Sequence, residues 1–255
     1  QGIITTWEDF ERYQWPKPED VNYRSFEAIS SVLPDEMKVI GQYGDIFTQV
    51  WMTMGFEAFS FAQIEQPDLI EALFEKFGEL IVGLFETMAE FDCVGALWYS
   101  DDIAYTEGLM VSPVFLRTYL FPFMSRIGAV CRERDIPFLY HSDGVLYEVL
   151  NDLEQCGVNA LQPVEPKAMD IVELKKKVAG RFCLIGNVEL DAFLCRGTPE
   201  TVEQEVKRLI REVAPGGGYC LGSSNTVPRF VKKENYRAMI EAGRKYGRYP
   251  INVPM

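Results

Sequence analysis

His141 is the only histidine in the chain, and Ser142 and Asp143 follow it directly. A neutral imidazole is a common zinc ligand, and its titration near neutral pH suits general acid–base work. With Asp143 two positions on, the pair is a candidate catalytic unit and a candidate metal site of nitrogen and oxygen donors. Asp101 and Asp102 form a second group. Side chains alternate along an extended chain, so one of these carboxylates is expected to face a cavity and the other to cap the next loop. Asp102 is taken as a catalytic candidate and Asp101 as a substrate-binding one. Gln162, Glu165, Asn187 and Glu189 lie farther on. They are acceptors for a metal, for substrate N–H groups, or for lysines in structural ion pairs.

These groups need a scaffold that brings distant pieces of chain together. Short apolar runs at 37–41, 95–100, 137–141, 160–164, 182–187 and 219–222 are bounded by Gly, Pro or Asp. Runs that are apolar on both faces are expected of parallel strands covered on both sides. Helical patterns lie between them, at 67–91, from Ser112-Pro113 toward Arg132, at 146–155, 170–178, 198–213 and 233–246. Ser112-Pro113 and Thr198-Pro199 each read as an N-cap followed by proline in the first turn. Six strand-then-helix repeats predict a parallel α/β fold, and the candidate residues above fall at strand ends. A doubly wound sheet is the alternative fold, but no GxGxxG loop follows the first strand. Residues 1–36 carry no strand pattern and are read as an N-terminal arm. A short helix at 7–13 opens it, and the rest is read as an extended arm that packs on the domain or serves as a lid. Residues 37–255 form the second region, a single domain. Trp51-Met52-Thr53-Met54-Gly55-Phe56 is read as an apolar pocket wall or plain core.

The chain has 255 residues, is 47% hydrophobic and has a formal net charge of −13. That acidity argues against nucleic acid or an anionic membrane as a partner, because both need a basic surface. No apolar run is long enough for a membrane helix and no signal-peptide pattern opens the chain. The six cysteines are scattered without a CxxC pair. Reduced, mostly buried thiols and a cytoplasmic location are expected.

The strand ends carry recognisable strings: His141-Ser142-Asp143-Gly144, Gln162-Pro163-Val164-Glu165-Pro166, Gly186-Asn187-Val188-Glu189, Gly197-Thr198-Pro199-Glu200, Pro215-Gly216-Gly217-Gly218-Tyr219, Gly222-Ser223-Ser224-Asn225 and Glu234-Asn235-Tyr236. In this succession, over roughly 39–247, the chain resembles the uroporphyrinogen decarboxylase superfamily. The resemblance implies a (β/α)8 TIM-type barrel whose third through eighth strands are visible and whose first two are missing. It also implies that the chain shown lacks its natural N-terminus.

The superfamily has two branches. True uroporphyrinogen decarboxylase works in porphyrin metabolism without metal or cofactor. The cobalamin-linked methyltransferases move a methyl group between a corrinoid protein and a thiol or tetrahydrofolate, and their thiol-methylating members use zinc. In those members a His-x-Cys string and a later cysteine hold the zinc. Here Asp143 replaces the first cysteine, and Ser223 or Ser224 stands near the second. A harder site on His141 and Asp143 remains as the metal candidate. Ser223 and Ser224, with Asp101, Gln162, Glu165 and Asn187, complete the expected substrate-binding set; the acceptors among them suit a pterin ring, or pyrrole N–H groups in a decarboxylase. The decarboxylase's arginine-rich motif belongs to the missing strands, Arg181, Arg196 and Arg229 are scattered, and Gly222-Ser223-Ser224 stands in place of its Gly-His-Gly loop. The methyltransferase branch is therefore the expectation, with a small-molecule substrate, methylcobalamin on a partner corrinoid protein and an apolar rim for that partner. A decarboxylase and a non-catalytic corrinoid-protein-binding partner are the alternatives, and a homodimer is left open.

Overall fold

The six apolar runs do form strands in the computed structural model, which describes residues 2–178 and 180–251. β1 (Val39–Gly44), β2 (Val94–Ser100) and β3 (Phe138–His141) pair in parallel in that order. β4 (Ala160–Gln162), β5 (Cys183–Val188) and β6 (Tyr219–Ser223) do the same. The register sets Gly44 beside Ser100 and Ser100 beside His141. It likewise sets Asn187 beside Gly222 and Val188 beside Ser223. β1, β2 and β3 therefore end level, as do β5 and β6, while β4 stops about three residues short of β5.

Contacts divide the chain into two compact units. The first runs through Ile103 and adds Leu109–His141 and Leu146–Val158. It holds β1–β3 with helices α1 (Trp7–Arg12), α2 (Arg24–Ser30), α3 (Ile46–Met54), α4 (Phe56–Glu65), α5 (Pro67–Ala89), α6 (Pro113–Tyr119), α7 (Phe121–Glu133) and α8 (Leu150–Gln155). The second holds Ala104–Gly108, Ser142–Val145 and the chain from Asn159 on. It contains β4–β6 with α9 (Ile171–Val178), α10 (Pro199–Val213) and α11 (Lys233–Tyr246). Apolar residues at helical spacing put one face of α5 in the core, where Leu69, Leu73, Phe77, Leu84 and Met88 are buried.

The arm packs through its large side chains. Ile4 is fully buried, Trp15 meets Phe77 edge-on at 5.3 Å and Phe26 stacks on Phe91 at 5.1 Å. The expected helix over 7–13 is α1, capped by Thr6. The extended reading of the rest is corrected by α2, whose start is held by the Asn22 side chain accepting from the Arg24 N–H. The single helix expected from Ser112 is two. Pro122 has no N–H to continue the ladder, and the chain turns at Leu120 between α6 and α7. β1 starts two residues later than its apolar run predicts. The segment 51–56 belongs to α3 and the start of α4, and it divides: Met54 is buried, while Met52 and Phe56 are exposed.

The cysteines also need correction, since only Cys93, Cys131 and Cys156 are buried. Cys183 is partly exposed and Cys220 exposed, with their sulfurs 3.8 Å apart. Cys220 belongs to a strand with no fully buried position, which an apolar reading of the run does not reveal. Among the described residues no helix is long and apolar enough to cross a membrane.

Asn235 shows how a polar residue can hold the second unit together. It is fully buried in α11, and its amide donates to the carbonyls of Phe193, Leu194 and Gly197 at 2.9–3.1 Å. These carbonyls end the π-helical turn Leu190–Cys195 and the loop after it. Asn235→Ala is expected to cost about 2–3 kcal/mol, since it leaves buried acceptors without their donor. A urea-unfolding midpoint unchanged from wild type would overturn that.

Candidate active site at the strand ends

In the first unit, β1, β2 and β3 lead into Asp45, Asp101-Asp102 and His141. The two adjacent aspartates point differently, as alternation requires. Asp101 is fully buried. Its carboxylate accepts from the Phe47 N–H at 2.7 Å, the Thr48 N–H at 2.9 Å and the Tyr99 hydroxyl. It thereby caps α3, whose N-cap residue Asp45 offers no side-chain bond of its own. Burial pushes the Asp101 carboxyl up to about 7, against the pull of these donors. Tyr140 donates to the Asp101 carbonyl at 2.8 Å and stacks on Tyr99, so the strand end is held rigidly.

Asp102 is the member that reaches solvent. Its side chain is 49% exposed and His141's is 21% exposed, and Asp102 Oδ1 lies 3.7 Å from His141 Nε2. Asp45, with a left-handed backbone at φ 74, stands close enough for charges to be felt. Its carboxyl is raised by burial and then by Asp102, with His141 opposing. Carboxylates thus crowd around one imidazole, an arrangement that attracts a cation. Two donors on one tetrahedral zinc sit ~3.3 Å apart at bond lengths of ~2.0 Å. The observed 3.7 Å is within a small side-chain adjustment of that. The donors are nitrogen and oxygen, so the pair fits zinc or a harder divalent ion rather than a soft thiolate site.

The second unit gathers most of the other candidates. The Asn225 side chain donates to Asp143 Oδ2 at 2.9 Å, and the Gly144 N–H donates to Glu165 Oε2 at 3.3 Å. Gln162 ends β4, and its carbonyl accepts from the Ser142 N–H at 3.1 Å. Ser223 donates to the Asn225 carbonyl at 2.6 Å, whereas Ser224 is buried and accepts from the Leu190 N–H at 3.0 Å. Glu165, Glu189, Ser224 and Asn225 line one cavity of about 180 Å³. Asn187 is 4% exposed and donates to the Val164 carbonyl at 2.9 Å. Its Oδ1 is buried with no partner, and the residue lines a cavity of about 450 Å³ with Glu189 and Lys167. A buried acceptor left unsatisfied beside a cavity is poised for a ligand N–H. Glu189 also serves structure, capping the π-helical turn through Ala192 and lying 3.9 Å from Lys167.

Gly186 explains part of this geometry. At φ 136, a Cβ there would lie 2.1 Å from the Pro163 carbonyl oxygen, so only glycine lets β5 approach the end of β4. Asp45, Thr48 and Asn225 were missed as site residues in the sequence. Asn225 closes the string Gly222-Ser223-Ser224-Asn225, and Asp45 follows a strand, so position alone offered a signal for both.

The profile described as Uroporphyrinogen decarboxylase (URO-D) matches residues 1–246. The chain belongs to the uroporphyrinogen decarboxylase family. Its relatives there include enzymes of two kinds. It is 21% identical over 258 residues to the uroporphyrinogen decarboxylase of Pseudoalteromonas atlantica, covering 95% of this chain and 69% of that protein. It is 25% identical over 183 residues to the methylcobamide:CoM methyltransferase MtaA of Methanosarcina barkeri, covering 72% of this chain and 51% of that protein. Among solved structures, a methyltransferase from Methanosarcina mazei superposes with a TM-score of 0.73 at 19% identity, covering 88% of this chain and 63% of that one. That likeness establishes the α/β fold expected from the strand–helix repeats.

Proposed function

We propose that this family member is a cobalamin-linked methyltransferase, moving a methyl group between a corrinoid protein and a thiol or tetrahydrofolate acceptor. The observation that carries the reading is the His141–Asp102 pair, an imidazole and a carboxylate 3.7 Å apart at the ends of neighbouring strands. His141 and Asp102 are the groups of the first unit that would hold a divalent ion. When bound, such an ion lowers the pKa of a coordinated acceptor, so that the acceptor stands in its nucleophilic form. His141 also takes or returns the acceptor's proton when no ion is present. Asp101 keeps the end of β2 and the start of α3 fixed, so that Asp102 and His141 are presented in one geometry. In the second unit, Asn187 Oδ1 and Glu165 are acceptors for ligand N–H groups, and Asn225, itself held by Ser223, sets the position of Asp143. Positioning supplies most of the rate, because transfer needs the nucleophile held in line with the methyl group.

The partner corrinoid protein is expected to dock on apolar surface. Met52, Phe56, Phe61 and Ile64 are exposed on α3 and α4, just beyond β1, and such a concentration marks a contact face. A decarboxylase is the second reading, favoured by the long match to the Pseudoalteromonas enzyme.

The deciding experiment mixes the purified protein with methylcobalamin and, in separate reactions, a thiol and tetrahydrofolate, then follows loss of the methylcobalamin spectrum. Demethylation with one acceptor, and metal stoichiometry that falls in His141→Ala, are expected. Release of CO2 from uroporphyrinogen without any methyl transfer would establish the decarboxylase instead. Complex formation with a corrinoid protein and no turnover of either kind would mark a binding partner.

A further inference from the structure

α11 carries cations at positions 233, 237 and 244, a spacing that places them along one side of the helix. With Arg229 from the loop that follows β6, Lys233, Arg237 and Arg244 line a single cavity of about 600 Å³. Only one carboxylate, Glu241, shares its lining. Among the described residues none of these four cations forms an ion pair. Some arginines elsewhere do find carboxylates: Arg117 with Asp152, Arg196 with Asp191, Arg208 with Glu205 and Glu212. Four unpaired cations held around one hollow repel one another, and an anion is what relieves that repulsion. Arg229 reads as scattered in the sequence; the fold corrects that by gathering it with three residues of α11.

The rest of the lining tells what the anion is attached to. Tyr236 and Ile240 are part of the wall and partly exposed to it. Ile240 and Arg244 also line an adjoining cavity of about 350 Å³, whose other walls include Leu221, Met239 and Tyr249. A cationic chamber opening beside an apolar one fits a ligand with a charged head and a flat, apolar body. Both hollows are open to solvent, and their volumes fall in the range of small-molecule sites. The arginine forks suit phosphate oxygens in particular. In (β/α)8 proteins phosphate groups recur at the loops after the last strands, where Arg229 lies.

We infer that this cavity is a binding site for a small organophosphate of two or three negative charges carrying a flat ring, of the nucleoside-diphosphate type. The site is separate from the strand-end residues: Asp143, Glu165, Asn187 and Ser223 are not in its lining. The inference therefore stands whether or not the methyl-transfer reading holds.

Calorimetric titration of the purified protein with ADP, and separately with inorganic pyrophosphate, tests it. Both are expected to bind at low ionic strength, ADP at least about tenfold tighter because its ring uses the apolar chamber, and both weaken as salt is raised. The double substitution Lys233→Gln with Arg237→Gln should weaken both by more than about tenfold, with circular dichroism unchanged. Lys176→Gln, on the exposed face of α9, should change neither. Absence of binding by both probes at millimolar concentration overturns the site. Equal affinity for the two probes overturns the ring-bearing ligand. Equal loss in the α9 control overturns the location, leaving only diffuse charge attraction.

Discussion

Methyl transfer from methylcobalamin is expected to fall by ~10²–10⁴-fold in His141→Ala, the range lost when a positioned acid–base or ligand group is removed. The fold should survive. His141 ends a strand beside Ser100, and its side chain is partly exposed and faces Asp102. Unfolding free energy within about 1 kcal/mol of wild type is expected, as for other substitutions of partly exposed side chains. Asp102→Ala should lose activity less, and the double variant should be scarcely worse than His141→Ala alone, because groups that act as a unit are not additive. Full turnover in His141→Ala removes the residue from the mechanism.

Asp101 is expected to behave in the opposite way, with a large effect on stability. Asp101→Ala leaves the Phe47 and Thr48 N–H groups and the Tyr99 hydroxyl without their shared acceptor. Loss of a helix cap together with buried unsatisfied donors is expected to cost about 3–5 kcal/mol. The pH dependence gives a second reading of the same group. Its carboxyl is raised from an ordinary 3.8 to about 7, so the folded chain holds this proton more tightly than the unfolded chain does. The stability this provides is complete below about pH 4 and is lost as pH rises through about 7. Urea unfolding between pH 4 and 8 should show that slope in the wild type and a shallower one in Asp101→Ala. An unaltered slope and midpoint would mean that α3 does not depend on this carboxylate.

How much of this was legible beforehand differs from element to element. The strands were legible because a chain covered on both faces must be apolar throughout, and β2, β3 and β5 fall within a residue or so of their runs. Helices α9, α10 and α11 were legible from caps and periodicity, with Pro199 and Gly247 close to their bounds. Helices α2, α3 and α4 were not. α4 has apolar residues all around it, so no period stood out, and its exposed Phe61 and Ile64 look in sequence like buried ones. α3 takes its cap from Asp101, which lies 56 positions away from Asp45 and so leaves no local signal.

By itself, the sequence determined the alternation of strand and helix, the family, and the placing of His141, Asp143, Asn187 and Ser223 at or just beyond strand ends. Each of these depends on short-range pattern, which the chain writes in consecutive residues. Only the tertiary structure decided which of two adjacent aspartates is a helix cap and which faces His141. It alone gathered Arg229 with Lys233, Arg237 and Arg244, and left Asn187 Oδ1 buried without a partner. Burial and charge pairing depend on what residues far along the chain bring to the same place, and no local pattern encodes that.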